Sequence, residues 1–85
     1  MEPLDMYEVG SAVFNAAHFA AKKGAYEIAR MLYRNAKGVL SDVASETAGN
    51  SDDGLHKKAV SLYNDATEEM KKIKEKTTGG WGNGT

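Results

Sequence analysis

Apolar side chains return every three or four residues along most of this chain, the spacing at which they line one face of an α-helix. In the first such stretch Met6, Val9, Val13, Ala16, Ala17 and Ala20 form the stripe, and Tyr7 and Phe14 widen it. From Tyr26 onward Ala29, Leu32, Tyr33, Ala36, Val39, Leu40 and Val43 trace a second stripe. Leu55, Ala59, Leu62, Tyr63, Ala66, Met70 and Ile73 trace a third, with a spacing near 3.5 that suits bundle packing. Nothing alternates at period two, and the one proline is Pro3, so no strand is predicted. The pattern predicts helices over about 3–23, 25–46 and 52–76.

The residues between the stripes fit these boundaries. Pro3 suits a first helical turn, where its missing N–H would have no partner anyway, and Glu2 and Asp5 complement the positive end of the helix dipole. Lys22 and Lys23 suit the opposite end, and Gly24 is fitted to a left-handed cap. The joint is so short that the first two helices must form an antiparallel hairpin. Ala12, Ala16, Ala17, Ala20 and Ala21 allow close helix approach and argue against a cofactor cavity there. Gly38 weakens the second helix by roughly 1 kcal/mol relative to Ala and is expected to mark a close helix contact. Thr47 to Gly54 reads as the second loop, with Ser51 as cap and Asp52 and Asp53 in the first turn of the third helix. Lys71, Lys72, Lys74 and Lys76 close that helix, with Glu68 and Glu69 placed to pair with them. Residues 77–85, Gly-rich and carrying Trp81, are expected to be a flexible tail or linker to further protein.

Fold class follows: all-α, an antiparallel three-helix bundle, related in packing to a tetratricopeptide hairpin with a third helix added. Eighty-five residues make one domain, without the second lobe or sheet edge where most enzyme pockets form. A net charge of −1 gives no basic field for nucleic acid. The absence of cysteine excludes disulfides and thiolate chemistry, and cytoplasm is the expected compartment. The apolar run around Ala12 to Ala21 is broken by Asn15 and His18 and falls short of a membrane span. The acidic start lacks the basic region of a secretory signal, so these residues are expected to belong to the fold.

Candidate chemistry is sparse. His18 and His56 lack companions at ligand spacing, Asp52 and Asp53 lack the alternating oxygens of a calcium loop, and the glycines of the tail lack a phosphate-loop lysine. No enzyme, metal or cofactor is expected. Tyr26, Tyr33 and Tyr63 read as core residues with hydroxyls reaching water or backbone. What a three-helix bundle does offer is grooves that accept a partner helix or an extended peptide.

The run Gly24-Ala25-Tyr26-Glu27-Ile28-Ala29, then Leu32-Tyr33, Ala36 and Leu40, resembles the second helix of MIT domains, the microtubule-interacting and trafficking modules. Ala17 and Ala21 before the glycine fit that family, and Leu55, Lys58-Ala59, Leu62-Tyr63 and Ala66 are similar to its third helix. The likeness spans residues 5 to 76. Arg30 and Lys37 stand where the family often has aliphatic residues, and Asp65-Ala66-Thr67 replaces its Arg-Ala-Glu.

The resemblance implies a protein-protein interaction adaptor. It would bind short tail motifs of ESCRT-III-like proteins in grooves flanking the third helix, act as a monomer, recruit an attached effector domain, and reach endosomal membranes through its partners. Leu62 and Tyr63 are consecutive and point about 100° apart, so one of them should reach a groove. Val60 and Met70 extend that candidate surface. The alternative is a structural or self-associating helical module without peptide-binding activity.

Overall fold

The computed structural model describes residues 1–49 and 53–76. Three α-helices follow one another: α1 (Pro3–Lys22), α2 (Tyr26–Thr47) and α3 (Asp53–Lys74). Glu75 and Lys76 continue α3 in one wider, π-type turn. No strand occurs among the described residues. The Ser51 cap, Asp52 and the 77–85 tail fall outside them.

α1 starts at Glu2, whose backbone is extended and whose carbonyl accepts the Met6 N–H at 2.9 Å, with Pro3 inside the first turn. It ends in a Schellman cap. Gly24 takes φ 83°, its N–H donates to the Ala21 carbonyl at 3.0 Å, and the Ala25 N–H donates to the Ala20 carbonyl at 2.9 Å. That cap folds the chain back within three residues. α2 leaves its helix through extended Ala48 and then Gly49 at φ 79°.

Cross-helix contacts fix the directions. Gly10 lies by Leu40, and His18 meets Tyr33, so α1 and α2 run antiparallel; Lys37 meets Tyr63 and Ala44 meets His56, so α2 and α3 do too. α2 is the central helix, packed closely by both others, while α1 and α3 touch each other least.

Two clusters fill the interior. Near the α1–α2 turn, Ala17, Ala20, Ala29, Tyr33, Ala66 and Ile73 pack together, with Phe14, Leu32 and Met70 at their edge. Toward the other end, Ala36, Leu40, Val43, Leu55 and Ala59 pack with Met6, Val13, Leu62 and Tyr63. Ala29 and Ala36 have no exposed surface.

Three expectations need correcting. Val9 and Ala16 do not face the core: both are exposed, Val9 by 44%, because the buried line of α1 runs through Gly10, Ala17 and Ala20 instead. Gly38 marks no close contact, since a Cβ there would meet nothing within 4 Å. The tight approach is at Gly10, where a Cβ would stand 3.0 Å from Leu40 Cδ2 and 3.3 Å from Val39 Cγ1. Thr47 belongs to α2 and is buried, because its hydroxyl donates back to the Val43 carbonyl at 2.8 Å and so satisfies itself inside the helix. His56 Nδ1 lies 3.0 Å from the Ala44 carbonyl and 3.1 Å from Thr47 Oγ1. It ties the start of α3 to the end of α2.

Candidate functional site

Both flanks of α3 form grooves, and their chemistry differs. On the α2 side, Arg30 and Arg34 face Lys71 and Lys74 around Thr67 and Met70, enclosing about 370 Å³. The lining follows from helix spacing: Arg30 and Arg34 are one turn apart, as are Thr67, Met70, Lys71 and Lys74 in steps of three and four. Further along the same side the Lys37 ammonium sits 4.9 Å from the centre of the Tyr63 ring, and at the near end Lys76 lies 5.8 Å from that of Tyr26. Arg30 and Arg34 from α2, with Lys71 and Lys74 from α3, give this groove its charge. A planar guanidinium presents paired donors to a carboxylate, and the thioether of Met70 offers an adaptable apolar floor.

On the α1 side, Phe14, Asn15 and His18 face Asp65, Glu68, Glu69 and Lys72 around about 400 Å³. Lys72 Nζ lies 3.3 Å from Glu69 Oε2, the pairing expected for the end of α3. Tyr33 reaches through from α2. Its ring meets Phe14 edge-on at 5.3 Å, and its hydroxyl is 3.3 Å from His18 Nδ1. Burial raises the Tyr33 hydroxyl above its ordinary pKa near 10, and the neighbouring Glu69 charge pushes the same way. Sequence reasoning placed Tyr33 in the core but expected water or backbone as its partner; nothing in the spacing alone pairs it with His18. Nearer the start of α3, Tyr7, Lys57, Lys58, Ser61, Leu62 and Asp65 line a shallower recess.

The four candidate residues are thus divided between the flanks. Leu62 turns to the α1 side beside Tyr7, while Tyr63 turns to the α2 side under Lys37. Met70 lines the basic groove, and Val60, 38% exposed, lies two turns before Thr67 on that same flank. Arg30, Arg34, Lys71 and Lys74 were not singled out as a site from sequence. Charge on separate helices becomes one patch only when the register between helices is known.

Among the described residues no group of three His, Asp or Glu is arranged to hold a metal ion. No described helix is long and apolar enough to cross a membrane. The fold and its grooves define a class, a small helical bundle with charged clefts beside its last helix. Comparison with protein-family models, with curated proteins and with solved structures gives no match.

Proposed function

We propose that this chain is a docking module whose α2–α3 groove binds a short, acidic, partly apolar segment of a partner protein. The observation that carries the reading is the groove of Arg30, Arg34, Lys71 and Lys74 around Met70. Carboxylates of an incoming segment would meet the cations, and its apolar side chains would cover Met70 and the exposed Val60. The likeness to MIT domains supplies the partner class: a tail of an ESCRT-III-like protein, through which the module would be brought to endosomal membranes. On this reading the bundle performs no reaction and serves as an adaptor for whatever it is joined to.

Titration of ESCRT-III tail peptides into the labelled protein, followed by backbone NMR shifts, tests this. Weak binding with shifts confined to residues 26–37 and 60–74 is the expected result. Val60→Asp and Arg34→Glu alter exposed positions and should each remove binding while the helical spectrum survives. If no tail binds, or only unfolded variants lose binding, the reading falls.

A further inference from the structure

α1 carries a second face that no described residue covers. Val9, Ala12, Ala16 and Phe19 follow one another in steps of three, four and three, and all are exposed, Phe19 by 63%. Four residues before this strip stands Asp5, and four after it Lys23, both exposed as well. At about 100° per residue these six positions fall within an arc of roughly 80°, on the side of α1 away from the Phe14, Asn15 and His18 edge that faces α3. A helix apolar on two sides is normally covered on both.

The strip is also symmetric about the level of Phe14. Asp5 and Lys23 lie equally far to either side, as do Val9 and Phe19, and Ala12 and Ala16. We propose that this strip is the interface of a homodimer in which two copies of α1 cross antiparallel about a two-fold axis. Such an axis brings Asp5 against the partner's Lys23 twice over, seats Phe19 on the partner's Val9, and leaves alanine against alanine in the middle, where the backbones approach closely. Parallel pairing would set Asp5 against Asp5 and Lys23 against Lys23, so the charges select the antiparallel arrangement. Lys23 already lies 5.4 Å from the centre of its own Phe19 ring and forms one end of the strip with it. A second copy, with its matching charges, fits this face better than the acidic segment assigned to the α2–α3 groove, for which the strip offers one cation. Six side chains per copy bury less than the ~1,200 Å² of a stable interface, so the dimer is weak and forms at high concentration. This departs from the monomer implied by the MIT resemblance.

The test is sedimentation equilibrium on the full chain from about 10 µM to about 1 mM. Wild-type mass should rise toward twice the monomer value, and Ala16→Glu, which drives a carboxylate into the close alanine contact on each side of the axis, should stay monomeric throughout. Asp5→Lys and Lys23→Asp should each weaken the dimer about tenfold, and the double exchange should restore it to within about threefold. All three positions are exposed, so circular dichroism should show the same helicity in every variant. Monomeric wild-type protein at every concentration, a dimer that survives Ala16→Glu, or a double exchange no better than the single changes would each overturn the proposal. Peptide binding in the α2–α3 groove should be unaffected by these variants, so the two readings fail separately.

Discussion

The two flanks of α3 are built from the same helix and behave as opposites. Toward α2, α3 is closely packed, with the His56–Ala44 link at one end and the Lys37–Tyr63 contact midway, and the groove above that packing is basic. Toward α1, the helices scarcely meet, and the gap is bridged by a side chain of α2, Tyr33, beneath a rim rich in carboxylates. The lesson is that near-neutral net charge conceals local fields. A chain of charge −1 can present a cationic cleft and an anionic one on either side of one helix.

Tyr33 tests the comparison most severely. Tyr33→Ala should destabilise the bundle by about 3–5 kcal/mol, because it empties the fully buried bridge of the α1 side. Denaturant unfolding measures this, and a cost below about 1 kcal/mol would mean that the two flanks do not depend on α2 in the way described. Next, Ala29→Leu or Ala36→Leu should each cost about 1–3 kcal/mol by overpacking the centre of α2, and wild-type melting in both would contradict the close packing that separates the flanks.

Charge reversal sharpens the contrast directly. Arg34→Glu with Lys71→Glu should weaken an acidic peptide at least about tenfold, while Asp65→Lys with Glu68→Lys should leave its affinity the same or better. Equal losses from both pairs would show that the peptide does not choose by charge.

Tyr33→Phe keeps the ring and removes only the hydroxyl, so it should cost about 1 kcal/mol near neutral pH. The same variant probes ionisation. A hydroxyl whose pKa is raised on folding contributes its full stability below the unfolded value near 10 and loses it as pH rises through the higher folded value. Wild-type stability should therefore fall above about pH 10, and Tyr33→Phe should fall less steeply there in paired alkaline melts. Smallest of all, Gly38→Ala should raise stability by about 0.5–1 kcal/mol, since its Cβ enters open space on a helix. Gly10→Ala should lower it, because Leu40 must give way.

Helix boundaries were legible in the sequence to within one or two residues, because Pro3, Gly24 and the stripe from Ala29 to Val43 each carry a local signal. Which glycine makes the close contact was not. Gly10 and Gly38 have the same composition-level meaning, and only the crossing of α1 over Leu40 distinguishes them. Val9 and Ala16 fit a three-four spacing as well as their neighbours do, yet the neighbouring stripe is buried; a helix apolar on two sides cannot declare which one faces inward. The divergence of Leu62 and Tyr63 followed from the 100° between consecutive residues, but which flank each takes depends on where α1 and α2 sit. The basic cleft was out of reach for the same reason, being lined by residues of two helices that lie more than thirty positions apart in the chain.

The central position of α2 also bears on how the chain reaches its folded state. Each helix packs mainly on its neighbour in sequence, and the one pairing that spans the whole chain, α1 with α3, is the sparsest. Loops that must close are therefore short, and search times scale with how far apart in the chain contacting residues lie. Folding should complete in the microsecond to millisecond range typical of local helical topologies. The hairpin of α1 and α2, whose three-residue joint is already set by the Gly24 cap, is the natural place for that search to begin.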